Sequence, residues 1–258
     1  MTAKRRVKTG SGSGTAVGVI PARYAASRFP GKPLVRIAGL PMLQRVVEGA
    51  REAKRLRKVI VATDDPRIAE ACASFGVEAV LTSPDHPTGT DRIAEVAAGL
   101  GDEIIVNIQG DEPLIEGFVI DAAVDALRGD PEAPMATVVH AAESDADADP
   151  NRVKAVLDVR GRALWFSRSP LPYRRNPQAA FMTWQHVGLY AYRREFLLRF
   201  VTMSPTPAER AESLEQLRAL EHGHVIRAAV IDGWRSIPVD VPGDVTRVEA
   251  RLAELGRC

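Results

Sequence analysis

Three cations lie close together on one short segment near the start of the sequence. Arg23, Arg28 and Lys32 fall within VIPARYAASRFPGKPL (19–34), directly after an apolar run. The prolines and the glycine of this segment disfavour a helix, so we expect the charges to lie on a constrained loop. Fixed positive charges and backbone amides at the end of a strand are well suited to hold a polyphosphate. The segment therefore predicts a phosphate-binding loop, the alternative being an ordinary solvated basic loop.

Two aspartates in similar settings are candidate metal ligands. Asp111 follows an apolar run in NIQGDEP (107–113), and Asp240 follows another in SIPVDVPGDV (236–245), where we expect a strand, a Pro-Gly turn and then a helix. Mg²⁺ commonly binds one or two carboxylates together with substrate phosphates. Brought together beside the phosphate-binding loop, the two aspartates would form such a site. Taken singly, each is also compatible with a turn or a helix cap, and Asp244 is the expected N-cap of the last helix.

The composition argues against several other classes of function. The chain has 258 residues, of which 45% are hydrophobic, enough to bury a large core. Its 34 basic and 33 acidic residues give a net charge of +1, so no overall field favours nucleic acid or a membrane. No apolar run reaches the roughly 18 residues of a membrane span, and we expect no secretory signal. Cys72 and Cys258 lack the spacing of a metal site or a disulfide framework. We expect a cytoplasmic protein that binds an anion locally.

Residues 1–15 are basic and then rich in Gly and Ser, which predicts a disordered tail. So short a charged run favours a solvated tail over a nucleic-acid-binding segment. The spaced glycines of this tail precede the first strand instead of following it, so they do not form a dinucleotide-binding turn. Pro33 stands where a Walker nucleotide loop needs Ser or Thr, which excludes that motif.

Apolar runs alternate with helical patterns through the first half of the chain. Strands are expected at 16–20, 58–63, 77–82 and 103–109, and helices at 41–54, 65–75, 90–100 and 116–128. This alternation predicts a mostly parallel central sheet with helices on both faces. The segments that follow the four strands are 21–34, 64–65, 88–92 and 109–113. Because ligands of such sheets bind beyond the carboxyl ends of the strands, we expect these loops to meet at one edge.

The pattern changes around the acidic stretch 141–149. Shorter, partly alternating runs at 135–140, 153–158, 163–167 and 186–192 predict a smaller mixed or antiparallel extension, followed by helices near 209–222 and 243–255. Residues 171–182 are expected to form a long loop, either a lid or a subunit contact.

Eight segments in the same order resemble the 3-deoxy-manno-octulosonate cytidylyltransferases, also called CMP-Kdo synthetases. They are IPARYAASRFPGKPL, VATDD, HPTGTDR, NIQGDEPLI, ALWFSRSPLPY, HVGLYAYRREFL, ESLEQLRALEHG and VDVPGDV. The likeness extends over about residues 16–255. It implies a Rossmann-like nucleotidyltransferase fold and a homodimer. We expect one domain over 16–258, comprising a nucleotide-binding part (16–140), an acceptor-binding and dimerisation part (141–240) and a closing helix (241–258).

The resemblance also implies a reaction. CMP would pass from CTP to the anomeric hydroxyl of 3-deoxy-manno-octulosonate (Kdo), an acidic sugar, with release of pyrophosphate and a requirement for Mg²⁺, as a step of lipopolysaccharide biosynthesis. The matching motifs imply catalytic roles for Arg23, Lys32, Asp111 and Asp240, with the two aspartates as the metal ligands. The implied CTP-binding residues are Ala22, Arg23, Arg28, Lys32, Thr88, Gly89, Arg92 and Gln109, and the implied acceptor-binding residues are Arg168, His186, Glu215 and Gln216.

The residues alone are also compatible with purely structural roles on the acceptor side. His186 is also compatible with a hydrogen-bonded core histidine, Glu215 and Gln216 with a solvated helix face, and Arg168 with an ordinary ion pair. The chain departs from the family pattern at Ala26, Phe29, Gln185, Val241 and Gly243. The departures at Gln185, Val241 and Gly243 leave other acceptors open: a modified Kdo, a different 2-keto sugar acid or a phosphonate. A different class of function, a catalytically silent nucleotide-binding regulator, is the remaining alternative.

Overall fold

The computed structural model describes residues 15–25, 29–142, 149–176 and 178–257. The strands are β1 (Ala16–Ala22), β2 (Arg36–Ile37), β3 (Leu40–Pro41), β4 (Leu56–Thr63), β5 (Glu78–Leu81), β6 (Ile104–Asn107), β7 (Met135–Ala141), β8 (Lys154–Leu157), β9 (Ala163–Ser167), β10 (Trp184–Arg193) and β11 (Ile226–Ile231). The helices are α1 (Met42–Arg51), α2 (Pro66–Ser74), α3 (Gly89–Ala98), α4 (Gly117–Gly129), α5 (Arg194–Phe200), α6 (Pro207–Glu212), α7 (Gln216–Glu221) and α8 (Pro242–Glu254), and a 3₁₀ turn spans Lys32–Leu34. Predictions for the tail 1–14, for Arg28 and for Cys258 lie outside the described residues.

One large sheet organises these elements. Its main strands follow the order β11-β7-β10-β6-β1-β4-β5, and the β8-β9 hairpin joins it at β10. β1 pairs in parallel with β4 and β6, β4 with β5, and β7 with β11. β10 runs antiparallel to both β6 and β7, and the β8-β9 pair is also antiparallel. The predicted mostly parallel sheet with an antiparallel extension is therefore confirmed, whereas the division into parts at residue 140 stays a prediction.

Alternate residues of β1 face two hydrophobic layers. Ala16 and Ile20 belong to the layer that α1, α2 and α4 cover, whereas Val17 and Val19 belong to the layer that α3, α5 and α7 cover. Because successive side chains of a strand point to opposite faces, the helices cover both sides of the sheet. The parallel strands are buried on both faces, which explains why the sequence shows them as continuous apolar runs.

The helix expected over 209–222 is two helices. Ser213 separates α6 from α7 and adopts a left-handed backbone conformation with φ of 52°. A left-handed residue cannot continue an α-helix, so the chain turns there although the hydrophobic spacing runs on. The break places Glu215 at the N-terminal end of α7. Helix α5 and strand β11 were not predicted at all.

The segment before the last helix also differs from its prediction. Residues 232–241 belong to no strand, and Pro242 and Gly243 form the first turn of α8 instead of a separate turn. Proline fits there because the first helical residues need no backbone donor. Asp244 is not the N-cap, which is Val241; it accepts hydrogen bonds from the backbone N–H groups of Asp240 (2.9 Å) and Val241 (3.1 Å) from within the first turn.

The described residues bear on the expectations about membrane spans and cysteines. Among them, every helix is too short or too polar to cross a bilayer. Cys72 is a buried free cysteine within α2. A buried thiol in a helix that faces the core is part of the packing.

Candidate active site

An open cleft of about 1270 Å³ lies at the edge of the sheet where β6, β7 and β11 end. The residues predicted for the site that line this cleft are Gln109, Asp111, Arg168, His186, Glu215, Gln216 and Asp240. Ala22, Arg23, Lys32, Thr88, Gly89 and Arg92 are not among the lining residues. The structure therefore brings the predicted metal ligands and the acceptor-side residues into one cleft, with the phosphate-binding loop beside it.

Lys32 contacts both predicted metal ligands. Its Nζ lies 2.9 Å from Oδ2 of Asp111 and 3.5 Å from Oδ1 of Asp240. The ammonium is largely buried, whereas the side chains of Asp111 and Asp240 keep 30% and 44% of their surface exposed. Two carboxylates around one ammonium leave a net negative charge that is open to the cleft. Such a charge favours the approach of a further cation.

Backbone contacts explain why two aspartates so far apart in sequence meet. The backbone N–H of Val239 donates to the carbonyl oxygen of Asp111 at 2.9 Å, which ties the segment before α8 to the loop after β6. A Cβ on Gly110 would lie 2.9 Å from the carbonyl oxygen of Pro21, so only glycine allows this loop to pack against the end of β1. The end of β1 and the loop after β6 are thereby held side by side.

Glu112 is a buried member of the same cluster that the sequence did not identify. Its Oε1 accepts a hydrogen bond from the hydroxyl of Ser236. Burial, together with the nearby charges of Asp111 and Asp240, raises the pKa of Glu112 to about 8. At neutral pH this carboxyl is mainly protonated, so the negative charge of the cluster is that of the two aspartates. The pair Glu112–Ser236 also ties the segment before α8 to the loop after β6.

The first cation of the phosphate-binding loop faces the segment before α3. Arg23 follows the buried Ala22 at the end of β1, and its guanidinium donates to the carbonyl oxygens of His86, Pro87 (3.4 Å) and Thr88 (2.8 Å). This places Arg23 between the loop after β1 and the N-terminus of α3. A direct contact between Arg23 and phosphate stays a prediction.

The expected loop over 88–92 is the N-cap and first turn of α3. Thr88 is the N-cap and forms a capping box with Asp91. Gly89 packs on the ring of Pro21, since a Cβ there would lie 3.3 Å from Cγ of that proline. The N-terminus of a helix at the carboxyl edge of a sheet favours bound anions. The contacts of Thr88 and Gly89 with a nucleotide stay predictions.

Arg92 lies in the interior, away from the cleft lining. Its guanidinium is fully buried and donates to Oδ2 of Asp64 at 2.8 Å and to the hydroxyl of Thr82. These contacts join α3 to the ends of β4 and β5. Burial lowers the pKa of Arg92, and the opposing charge of Asp64 keeps the guanidinium paired. In this structure Arg92 joins α3 to the ends of β4 and β5, and a direct contact with CTP stays a prediction.

His186 is both a core histidine and part of the cleft wall. Its Nε2 lies 3.0 Å from the hydroxyl of Thr137, and its ring packs edge-on against Phe166 with centroids 4.9 Å apart. Burial lowers the pKa of His186 to about 3. The imidazole is therefore neutral at physiological pH and offers the cleft a hydrogen-bonding group instead of a charge.

Glu215 and Gln216 lie at the start of α7, and neither is on a solvated helix face. The carboxylate of Glu215 accepts hydrogen bonds from the hydroxyls of Thr88 (3.2 Å) and Thr90, so it joins α7 to the first turn of α3. Burial raises the pKa of Glu215 above its ordinary value. Gln216 is buried, and among the described residues its side-chain nitrogen has no hydrogen-bond partner.

Arg168 holds three parts of the acceptor side together. Its guanidinium donates to the carbonyl oxygens of Glu212 (2.7 Å), Pro150 (3.0 Å) and Ser213 (3.4 Å), and its backbone N–H donates to the carboxylate of Glu212. The residue that follows β9 thus fixes the end of α6. Its contact with an acceptor stays a prediction.

Gln109 and Tyr190 complete the wall next to His186. The side-chain nitrogen of Gln109 donates to Oδ1 of Asn107 at 2.8 Å, and Gly188 leaves room for it, since a Cβ there would lie 3.4 Å from Cγ of Gln109. Tyr190 lines the cleft with its ring 5.5 Å from that of His186. Tyr190 was not among the residues predicted for the site. Alternation along β10 is the signal that could have found it, because His186, Gly188 and Tyr190 occupy every second position.

The donor set at the cleft suits a hard cation that also binds phosphate. Within the described ranges there is no cluster of three or more His, Cys, Asp or Glu side chains able to hold a metal by themselves. The two partly exposed carboxylates of Asp111 and Asp240 are nevertheless the oxygen ligands that Mg²⁺ prefers, and Mg²⁺ usually takes its remaining ligands from water and substrate phosphates. The residues present therefore fit Mg²⁺ together with a nucleotide.

Comparison with known proteins assigns the chain to a family. The model of a family described as cytidylyltransferase matches residues 17–227. The 3-deoxy-manno-octulosonate cytidylyltransferase of Syntrophotalea carbinolica is 50% identical over 246 residues, which cover 92% of this chain and 98% of that protein. The protein of the same name from Myxococcus xanthus is 50% identical over 241 residues, 93% of this chain and 97% of that protein.

Solved structures agree with this assignment. A CMP:2-keto-3-deoxy-manno-octonic acid synthetase complexed with CTP matches with a TM-score of 0.89 and 44% identity, over 93% of this chain and 99% of that chain. A putative glucose-1-phosphate thymidylyltransferase from Bacillus anthracis matches with a TM-score of 0.66 over 94% of this chain and 96% of that chain, but at 16% identity it shares the fold alone. The chain therefore belongs to the cytidylyltransferase family and, within it, to the 3-deoxy-manno-octulosonate cytidylyltransferases.

Proposed function

We propose that this protein transfers CMP from CTP to the anomeric hydroxyl of Kdo and releases pyrophosphate, as a step of lipopolysaccharide biosynthesis. The observation that carries the proposal is the convergence of Lys32, Asp111 and Asp240 at a cleft that the acceptor-side residues also line. This arrangement occurs in a chain half identical to relatives that bear the name of this activity.

Asp111 and Asp240 would hold Mg²⁺, because both are partly exposed carboxylates of the cleft lining and both contact the same ammonium. When bound there, the metal would neutralise phosphate charge and acidify the acceptor hydroxyl. Lys32 keeps the two carboxylates close together before substrate binds, and its ammonium is then in position to donate to the phosphates of CTP. Arg23 would hold the segment 86–88 against the phosphate-binding loop, and Arg28, within that loop, would add a third cation.

The acceptor would occupy the part of the cleft that Arg168, His186, Glu215 and Gln216 line. The buried amide nitrogen of Gln216 supports this, since a ligand oxygen would satisfy a donor that has no protein partner among the described residues. His186 would donate or accept as a neutral group. Nucleotidyl transfer depends mainly on positioning and charge neutralisation, so the arrangement requires no protein nucleophile.

One observation favours a second acceptor. Two of the positions at which the chain departs from the family pattern, Gln185 and Val241, line the cleft. Changed side chains in the wall would alter which sugar acid fits. A modified Kdo or another 2-keto sugar acid is therefore the second candidate, with the same chemistry at the phosphate.

Pyrophosphate release tests the proposal directly. The protein, CTP and Mg²⁺ would be incubated with Kdo, a modified Kdo, another 2-keto sugar acid and a phosphonate, each at several concentrations. We expect the highest kcat/KM with Kdo. Turnover with another acid alone would change the acceptor, and tight CTP binding without turnover on any acid would instead identify a nucleotide-binding regulator.

We also propose that the protein works as a homodimer in the cytoplasm, which supplies CTP. The support is a set of exposed apolar side chains on β9 and the loop that follows, namely Leu164, Tyr173, Phe181 and Met182. Large apolar side chains that are exposed on a surface commonly mark protein contacts where they lie together. Size-exclusion chromatography with light scattering should give twice the monomer mass, and Leu164→Asp should shift the mass toward the monomer.

A further inference from the structure

A contact between α2 and the phosphate-binding loop lies outside the residues discussed so far. The guanidinium carbon of Arg67 lies 3.4 Å from the centroid of the Tyr24 ring. Asp65 fixes the guanidinium at its edge, since the carboxylate accepts from Nε of Arg67 at 2.9 Å and from Nη2 at 2.6 Å. Asp65 also accepts from the backbone N–H of Arg67 as the N-cap of α2. The planar guanidinium is therefore held over the face of the ring.

Tyr24 in turn contacts the far end of the loop. Its carbonyl oxygen accepts from the backbone N–H of Gly31 at 2.9 Å. Its ring lies directly beside Gly31, since a Cβ on that glycine would come within 3.4 Å of the ring atoms. Gly31 has φ of 70° and precedes Lys32, whose ammonium contacts Asp111 and Asp240. A continuous series of contacts thus runs from Asp65 through Arg67 and Tyr24 to the residue before Lys32.

We propose that Arg67 is a positioning residue for the phosphate-binding loop. By stacking on Tyr24, it holds Gly31 and the adjoining Lys32 in the geometry that binds the triphosphate. This inference rests on the proposed function, because it assigns Arg67 a role in CTP binding. Arg67 itself does not line the cleft, so it acts through Tyr24 and Gly31. Holding a loop in its binding conformation before the ligand arrives lowers the ordering cost of binding.

The kinetic test compares Arg67→Ala with a matched control. Arg160 also pairs with an aspartate two residues earlier, Asp158, and is not among the residues that line the cleft, so Arg160→Ala removes a similar exposed ion pair. Loss of an exposed cation–π contact changes an equilibrium constant by about two- to fivefold. We expect Arg67→Ala to raise KM for CTP by about that factor, with kcat and KM for Kdo unchanged, and Arg160→Ala to leave all three at wild-type values.

A double-mutant cycle identifies the partner of Arg67. Tyr24→Leu should raise KM for CTP by a similar factor, and adding Arg67→Ala to it should have little further effect, because the contact is already lost. Full additivity of the two changes would overturn the proposal. A lower kcat, a rise in KM for both substrates and a lower melting temperature would also overturn it, since that combination indicates a general structural role.

Hydrogen exchange gives a readout that does not depend on activity. The amides of Gly31, Lys32 and Leu34 donate hydrogen bonds within the loop. We expect their exchange to accelerate in Arg67→Ala and to stay unchanged in Arg160→Ala. If wild-type protein transfers CMP to no acid, the proposed function fails while this measurement still tests the contact. If wild-type protein is active and Arg67→Ala keeps both its loop protection and its KM for CTP, the inference about Arg67 is wrong.

Discussion

Single side chains decide the charge at this point of the cleft. Asp111 and Asp240 share the ammonium of Lys32, whereas burial keeps Glu112 mainly protonated at neutral pH. The result is a small negative site next to the loop that carries Lys32. This combination suits the joint binding of a divalent cation and a polyphosphate, because each neutralises the other.

Asp111→Asn tests the proposed metal ligand. The change keeps size and hydrogen bonding but removes one of two negative charges, so metal and triphosphate should bind less well together. Losses of about 10- to 100-fold follow even when groups outside the direct ligands of a metal are changed. We therefore expect pyrophosphate release to fall by at least about 100-fold, with the circular dichroism spectrum and melting temperature close to wild type.

Asp85→Asn is the matched control for this change, because Asp85 is an exposed aspartate that does not line the cleft. It should retain wild-type turnover. Near-normal activity of Asp111→Asn would remove this carboxylate from the proposed mechanism.

His186 makes stability depend on pH with a definite sign. Its pKa is about 3 in the folded protein against 6.5 for the ordinary value, so the unfolded chain binds a proton that the folded protein does not. The associated stability is present above pH 6.5 and is lost as the pH falls from 6.5 toward 3. Glutamine does not titrate, so His186→Gln lacks this pH dependence. From pH 7 to pH 5, the free energy of unfolding of wild type should therefore fall by about 2 kcal/mol more than that of His186→Gln.

Urea denaturation of both proteins at pH 7, 6 and 5 measures the difference. Parallel loss of stability in the two proteins would show that His186 is not buried in its neutral form.

At the scale of elements, the site depends on contacts between helix ends. Helix α7 begins next to the first turn of α3, and Glu215 bridges the two through the hydroxyls of Thr88 and Thr90. Thr88 also offers its carbonyl oxygen to Arg23. The nucleotide side and the acceptor side of the cleft thus share one hydrogen-bonded junction, so a change at Glu215 should affect both substrates.

Glu215→Ala tests this junction. Hydrogen bonds to a charged group contribute about 1.5–3 kcal/mol, so losing them should disturb the first turn of α3 substantially. We expect KM for CTP and KM for Kdo each to rise by about tenfold or more. A rise in KM for Kdo alone would show that Glu215 contacts only the acceptor.

Thr90→Val provides the matching change from the other side of the junction, because it removes one donor and keeps the shape. It should raise KM for CTP by a smaller factor, and its effect should largely disappear in the Glu215→Ala background.

At the scale of the whole molecule, the sheet places its ligand site where α/β proteins usually have it. The parallel strands β1, β4, β5 and β6 carry the loops proposed to bind the nucleotide, and antiparallel β10, which carries His186, lies next to β6. The proposed sites of both substrates therefore lie along one edge of the sheet. Because the proposed CTP contacts come from loops that follow several strands, binding of CTP should stabilise the entire fold.

Thermal unfolding with and without metal tests this coupling. At a CTP concentration about 100 times Kd, binding contributes about 2.7 kcal/mol, which for a chain of this size raises Tm by about 5–10 °C. We expect that rise with CTP and Mg²⁺, and a much smaller one when EDTA is added. An equal rise with and without EDTA would mean that CTP binds without a metal at Asp111 and Asp240.

The sequence by itself determined the arrangement of strands and helices in the first half of the chain. Continuous apolar runs and helical spacing are local signals, so β1, β4, β5, β6 and the helices between them appear near their predicted positions. The same signals located the loops at the carboxyl edge, and motif likeness supplied the family. Local patterns were less reliable in the second half. The helical spacing gave no sign of the helix break at Ser213, and β11 was missed because its pairing with β7 joins segments that are distant along the chain.

Only the tertiary structure decided which predicted residues meet. The sequence could not show that Lys32 lies between Asp111 and Asp240, that Arg92 is buried against Asp64, or that Glu215 joins α7 to α3. These contacts join residues that are distant along the chain, so no local pattern encodes them. They form because β1 and β6 are neighbours in the sheet and because the backbone of Val239 pairs with that of Asp111, and only the complete fold brings those segments together.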